Sequence, residues 1–263
     1  MIAFPNAKIN LGLNVLEQRT DGYHNIETVF YPIELADVLE IIPAGDGIFS
    51  FTSTGLSIPG ETENNLCLKA FHHLSSLPDR QVGIFHLPPI KIHLHKVIPP
   101  GAGLGGGSSD GAYTIKLLNS LFLLGLSNDQ MMDYARKLGS DCAFFIENKP
   151  VFAYEKGDRF KPVDIDLSSY RIEIVFPEMH INTAEAYSLI DLRKKTKGIL
   201  SPLVEIISKP VTEWKNQLKN DFEEPVIKKY PELGRIKQDL YNRGALYVSM
   251  SGSGSSFYGI FPT

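Results

Sequence analysis

The segment Gly101-Ala102-Gly103-Leu104-Gly105-Gly106-Gly107-Ser108-Ser109 constrains this chain more than any other. Five glycines in seven positions permit backbone torsions that other residues resist, and they leave no side chains to block a ligand. Upstream, Ile90–Val97 alternates apolar and polar residues, as a strand with one solvated face does, and Pro99-Pro100 ends it. Downstream, Ala112, Ile115, Leu118 and Leu121 recur at helical spacing and predict a helix over 108–122, with Ser108 and Ser109 as caps. A glycine loop that feeds a helix start gathers backbone N–H groups and the positive end of the helix dipole at one spot. A phosphate fits such a spot. Gly106→Val is expected to weaken phosphate binding, because a branched side chain excludes the left-handed torsions open to glycine and blocks approach to the phosphates.

Two other phosphate loops are excluded by context. Gly101, Gly103 and Gly106 satisfy Gly-x-Gly-x-x-Gly, but the preceding strand carries Lys91, His93 and His95 where a dinucleotide fold has a continuous apolar run. No acid follows at the distance needed to hold a ribose; residues 122–127 are Phe-Leu-Leu-Gly-Leu-Ser. A P-loop needs Gly-Lys-Ser/Thr, and here Gly106 leads into Gly107-Ser108.

Around this loop the pattern is α+β. Residues 6–16 and 26–42 read as strands joined by a turn at Asp21-Gly22. Helices are predicted over 64–77 and over 128–138, the second ending at Gly139 as its C-cap. After Pro150 come short strands at 151–154 and 171–176, then helices punctuated by Pro202, Pro210, Pro225 and Pro231. The chain closes with a strand over 245–250, the turn Ser251-Gly252-Ser253-Gly254, and a strand over 256–261. With 263 residues, two domains of ordinary size are expected, 1–150 and 151–263, with the joint near 148–156.

Composition removes several function classes. Twenty-six basic residues against 30 acidic ones give a net charge of −4, which argues against a surface built for nucleic acid or anionic lipid. Arg193-Lys194-Lys195 reads as a solvated helix end. Apolar runs such as Leu121–Leu124 are too short to span a bilayer, and Asn6, Lys8 and Asn10 interrupt the start of the chain where a signal peptide would be apolar. Cys67 and Cys142 form no CxxC pair, which suits a reducing cytoplasm. His93-x-His95 shares a strand face with Lys91 and reads as a solvated edge, so no residue is assigned to a metal.

Two charges stand out. Lys8 in Pro5-Asn6-Ala7-Lys8-Ile9-Asn10-Leu11 and Asp141 in Leu138-Gly139-Ser140-Asp141-Cys142-Ala143 are flanked by apolar or small residues. Phosphoryl transfer to an alcohol uses one group to take the proton and one cation for the developing charge. Spacing alone does not bring the two together.

Pro-x-Gly-x-Gly-Leu-Gly-Gly-Gly-Ser-Ser resembles the phosphate loop of the GHMP kinases, named for galactokinase, homoserine kinase, mevalonate kinase and phosphomevalonate kinase. The resemblance runs from Ala7 to the Ser249–Gly254 turn, and it implies a two-domain α+β kinase fold. The sequence ends two residues past Phe261, before the helix that commonly follows the last strand in that family. Arg19-Thr20-Asp21-Gly22-Tyr23-His24 is similar to the branch of the family that phosphorylates a cytidine diphosphate-linked methylerythritol in non-mevalonate isoprenoid synthesis.

By that resemblance ATP, with Mg²⁺, lies with its phosphates on Pro99, Pro100 and the loop residues 101–109. Lys8 and Asp141 become the catalytic pair. Asn10, Tyr23 and His24 hold the acceptor, with Tyr187 as a second aromatic enclosing the cytosine. The Ser251–Gly254 turn becomes a support for the phosphate loop. A sister kinase of the same fold acting on homoserine, or a module that holds ATP without turnover, stays open at this point.

Overall fold

The computed structural model describes residues 1–75, 87–177, 179–191 and 203–263. In chain order its strands are β1 (Ile2–Ala3), β2 (Asn6–Gln18), β3 (His24–Ala36), β4 (Val38–Pro43), β5 (Ser50–Gly55) and β6 (Ile90–Lys96). They continue with β7 (Val151–Tyr154), β8 (Arg159–Pro162), β9 (Tyr170–Val175), β10 (Tyr247–Met250) and β11 (Phe257–Pro262). The helices are α1 (Leu66–Ser75), α2 (Gly106–Leu121), α3 (Asn128–Leu138), α4 (Phe144–Glu147), α5 (Thr183–Ser188), α6 (Leu203–Ile207), α7 (Glu223–Lys229) and α8 (Pro231–Asn242). Pro202 and Arg193-Lys194-Lys195 lie outside the described residues.

The chain forms two compact units. One comprises Met1–Ala7, Glu34–Pro100 and Gly105–Asn148; the other comprises Lys8–Ile33, Gly101–Leu104 and Lys149–Thr263. The first unit's last segment ends inside the expected joint, but a single cut near 150 does not describe the division. The reason lies in strand pairing. β2 and β3 share a sheet with β7 and β8 in the order β2-β3-β7-β8, and Thr28, Val29 and Phe30 pair with Ala153, Phe152 and Val151.

The first unit is built on the sheet β1-β4-β6-β5. β6 runs antiparallel to β4 and parallel to β5. His93 and His95 therefore do not mark a sheet edge, as their alternation had suggested. They lie on the open face of an interior strand, where Thr52 Oγ1 meets His93 Nδ1 at 2.8 Å and Thr54 Oγ1 meets His95 Nδ1 at 2.9 Å. On the opposite face Ile90, Ile92 and Leu94 are buried. α2 packs against α1, α3, α4 and β4. α3 begins with a capping box, Ser127 accepting from Gln130 N and Gln130 Oε1 accepting from Ser127 N, and Gly139 sits at its C-cap in extended backbone. The segment expected as one strand over 26–42 breaks at Asp37 into β3 and β4.

The second unit adds the antiparallel sheet β10-β11-β9. Leu13 and Val15 of β2 join Phe222, Val226, Leu233, Leu240, Met250 and Phe257 in one core. Pro231 opens α8, where a missing N–H costs nothing. Cys67 and Cys142 are both buried free thiols; burial pushes Cys142 up to about 12 and Cys67 higher still, so neither is a nucleophile near neutral pH. Among the described residues no helix is long and apolar enough to cross a membrane.

Candidate active site

β2 is buried on both faces from Ala7 to Val15. One face, with Ala7, Ile9, Leu11, Leu13 and Val15, is apolar core. The other carries Lys8, Asn10 and Asn14, which are equally withdrawn from water at 3%, 1% and 7% exposure. Buried polar groups persist only where they are bonded or serve a reaction. The Lys8 ammonium donates to Asn10 Oδ1 at 2.6 Å and to the Gly103 carbonyl at 3.3 Å, and lies 4.8 Å from the centre of the Phe30 ring. Its backbone N–H donates to Leu104 O at 2.9 Å, so the strand and the glycine loop are joined in the second unit.

The loop itself is held against the closing turn of the chain. Ser251 Oγ donates to the Gly103 carbonyl at 2.9 Å, the same oxygen that Lys8 reaches. Gly103 has φ +80, and a Cβ there would lie 2.1 Å from the Ser251 carbonyl oxygen, so only glycine fits. Asn220 Nδ2 donates to Met250 O and Gly252 O at 2.8 Å each and fixes that turn.

In the first unit α2 starts two residues earlier than its apolar spacing indicated. Its N-cap is Gly105 in the left-handed region, with no side-chain cap, and Ser108 and Ser109 lie inside the first turn. The expected caps are therefore wrong: glycine replaces them because the chain must turn through φ +73 to enter the helix. Ser109 N donates to Gly105 O at 2.9 Å, so the N–H groups of Gly106, Gly107 and Ser108 have no carbonyl a turn earlier. These are the donors a phosphate needs.

Gly106 is not among the residues with positive φ, so the torsional reason expected for it does not apply. Its constraint is steric. A Cβ would lie 2.7 Å from Ile98 Cγ2 and 3.0 Å from Lys96 Nζ, whereas one on Gly107 would meet nothing within 4 Å. Gly106→Ala should therefore destabilise the fold by about 1–3 kcal/mol, as overpacking does, while Gly107→Ala stays near neutral. Urea unfolding of the two variants checks this; equal midpoints would remove the steric account.

Beneath the helix start Asp110, the acid that follows the loop serines, joins Asp37 and Lys96 in a buried cluster. Lys96 Nζ donates to Asp37 Oδ2 at 2.5 Å and to Asp110 Oδ2 at 2.8 Å, with all three residues at most 3% exposed. Asp37 Oδ1 also accepts from Val97 N and Ile98 N at 2.6 and 2.8 Å, tying the break between β3 and β4 to the end of β6. Burial would lower the Lys96 pKa, but the charges of Asp110 and Asp37 hold it above its ordinary value. Burial pushes the Asp110 carboxyl up to about 7; Lys96 opposes this and Asp37 adds to it. A signal for Lys96 existed: it shares strand parity with Ile90, Ile92 and Leu94, not with Lys91 and the histidines.

Asp141 belongs to the first unit and Lys8 to the second. Asp141 is half-buried on the turn between α3 and α4, where Ser140 Oγ lies 3.3 Å from its Oδ1 and its carbonyl accepts from Phe144 N.

The remaining residues form an aromatic group in the second unit. Arg19 Nε donates to both carboxylate oxygens of Asp21 and Arg19 Nη1 to Asn25 Oδ1, while Asp21 Oδ1 accepts from Tyr23 N. This closes the turn and leaves Tyr23 62% exposed, with the Lys156 ammonium 5.2 Å from the centre of its ring. His24 stacks directly on Tyr187, with ring centres 4.4 Å apart and planes at 15°, and Tyr187 meets Phe222 edge-on at 4.8 Å. His24 and Tyr187 thus touch each other, with no gap between them for a base. Burial lowers the His24 pKa, so its imidazole is neutral near pH 7, with one donor and one acceptor nitrogen.

Comparison with known proteins agrees with these features. The family description "GHMP kinases N terminal domain" matches residues 65–149, and "GHMP kinases C terminal" matches 203–263. A 4-diphosphocytidyl-2-C-methyl-D-erythritol kinase of Bacteroides thetaiotaomicron is 52% identical over 263 residues, covering 99% of this chain and 92% of the relative. One of the same name from Cytophaga hutchinsonii is 51% identical, covering 100% and 93%. Among solved structures, a 4-(cytidine 5'-diphospho)-2C-methyl-D-erythritol kinase superposes with a TM-score of 0.75 at 29% identity, covering 99% of this chain and 90% of the other. Methanococcus jannaschii mevalonate kinase, at 18% identity, TM-score 0.73 and the same coverages, shares the fold.

Proposed function

Because the chain belongs to the GHMP kinases, in the branch of the 4-diphosphocytidyl-2-C-methyl-D-erythritol kinases, we propose that it transfers the γ-phosphate of ATP to the 2-hydroxyl of 4-(cytidine 5'-diphospho)-2-C-methyl-D-erythritol, in the non-mevalonate isoprenoid pathway. The observation that carries the assignment at the level of residues is the shared Gly103 carbonyl, which joins Lys8, the glycine loop and the closing turn.

ATP, taken as its Mg²⁺ complex, lies with its phosphates at Pro99–Ser109, where the amides at the start of α2 receive them. Asp141 takes the proton of the acceptor hydroxyl as its oxygen bonds to the γ-phosphorus; the bond to the β-phosphate oxygen breaks and ADP leaves. The Lys8 ammonium balances the charge that develops on the transferred group. Such a transfer is loose and depends chiefly on positioning and electrostatics. Asn10 stands beside Lys8 on the acceptor side, and the exposed Tyr23 ring offers a stacking face to cytosine, with His24 and Tyr187 as one packed wall. The free thiols of Cys67 and Cys142 suit a cytoplasmic setting for the reaction.

An assay of ADP formation with and without the cytidylated acceptor tests the assignment. ADP should form only with that acceptor; turnover with homoserine instead, or with none, would overturn it. The base should matter as well. Cytosine presents an amino donor where uracil presents a carbonyl, and one unsatisfied buried polar group costs about 1–3 kcal/mol, or roughly 5- to 150-fold in kcat/KM. Competition between cytidyl and uridyl acceptors reads this ratio, and equal use of both would remove the base site.

A further inference from the structure

Thr28 is fully buried on β3, and its hydroxyl lies between two partners on the neighbouring strand β2. It donates to the Gly12 carbonyl at 2.6 Å and accepts from Asn10 Nδ2 at 2.9 Å. Asn10 Oδ1 in turn receives the Lys8 ammonium at 2.6 Å. Each step of this chain has only one workable direction. An ammonium can only donate, so Asn10 must turn its oxygen toward Lys8. Its NH₂ then faces Thr28, whose oxygen must accept, and the hydroxyl proton is left for Gly12, whose carbonyl can only accept. Without the threonine oxygen the NH₂ end of Asn10 would lose its partner, and the amide, held only at its oxygen end by the flexible Lys8 side chain, would be free to rotate and carry the ammonium with it.

We propose that Thr28 is a positioning residue for phosphoryl transfer, setting the orientation of the Asn10 amide and through it the place of the Lys8 ammonium. This rests on the reading of Lys8 as a catalytic residue. Thr28 touches no substrate in this account, so its loss acts on the chemical step. Displacement of a catalytic group by a fraction of an ångström to about 1 Å costs on the order of 10- to 100-fold in rate.

The test is steady-state kinetics on Thr28→Val, Thr28→Ser and Lys8→Met, with folding followed by circular dichroism. Valine keeps the shape and removes the hydroxyl; serine restores it. The expected result for Thr28→Val is a 10- to 100-fold fall in kcat, with KM for ATP and for the acceptor within about threefold, and recovery to within about threefold of wild type in Thr28→Ser. Should Thr28→Val fail to fold, Thr28→Cys, of similar size with a poor acceptor sulfur, takes its place with the same expected split. An unchanged kcat in the folded hydroxyl-less variant, alongside an inactive Lys8→Met, overturns the positioning role alone. So does a loss that serine fails to rescue, or one confined to KM. A fully active Lys8→Met overturns the reading of Lys8 itself, and the role of Thr28 with it.

Discussion

Asp141→Asn should lower kcat by about 10²–10⁴ while the ATP dissociation constant stays within a few-fold, the usual cost of removing general-base catalysis. Asparagine preserves the shape of the side chain and can still face the Ser140 hydroxyl, which lies 3.3 Å from Asp141 Oδ1. The backbone turn is also untouched, since the Asp141 carbonyl, not its side chain, receives Phe144 N. What asparagine lacks is the ability to accept the hydroxyl proton as the new phosphorus–oxygen bond forms. Nucleotide affinity should be spared, because the proposed phosphate donors are the backbone amides at the start of α2. Coupled measurement of ADP formation gives kcat, and calorimetry gives the ATP affinity. Activity within threefold of wild type would take Asp141 out of the mechanism.

Lys96→Met should cost about 3–5 kcal/mol of stability, because it leaves buried carboxylates without their cation. Asp37 and Asp110 both rely on Lys96 Nζ, and all three side chains are almost fully withdrawn from water. Urea unfolding is the measurement; a loss below about 1 kcal/mol would show that the cluster relaxes or takes up water. Asp110→Asn is the companion variant, since it removes one carboxylate and keeps the Asp37–Lys96 pair. The Asp110 carboxyl is raised from 3.8 to about 7. Between those values the native protein holds a proton that the unfolded chain has released, so this group's contribution to stability is complete below about pH 4 and fades as pH rises through 7. The variant should therefore gain on wild type as pH rises from 5 to 8, in paired unfolding curves. A difference that does not change with pH would remove the raised carboxyl.

Much of the fold is legible in the pattern. The alternation over 90–97, the prolines that end it and the apolar spacing after the loop placed β6 and α2 to within two residues. Local chemistry acts there: strand parity, proline's missing N–H and helical periodicity are all properties of neighbouring residues. The glycine loop was equally visible, since five glycines before an amphipathic helix have few physical uses. The kinase family could be read from the same residues and from Arg19–His24. By contrast, β5 and β8 carried no readable signal, because one is rich in serine and threonine and the other is four residues of mostly exposed chain.

Burial of the polar faces was decided only by tertiary structure. In the sequence Lys8, Asn10 and Asn14 alternate with apolar residues as the solvated side of a strand would, and a polar face toward water looks the same as one toward a buried site. Which of the two it is depends on β3, the glycine loop and the turn at Ser251, which lie up to some 240 residues away in the chain and bring Thr28 and the Gly103 carbonyl to that face. The same holds for Asp37, Lys96 and Asp110, whose charges look separate at 37, 96 and 110 and become one buried group only where β6 ends beside α2. Sequence determined most of the elements, the loop and the family through short-range periodicity and motif. The partners of each buried charge came from the fold, because a hydrogen bond is fixed by distance in space and carries no signature of spacing along the chain.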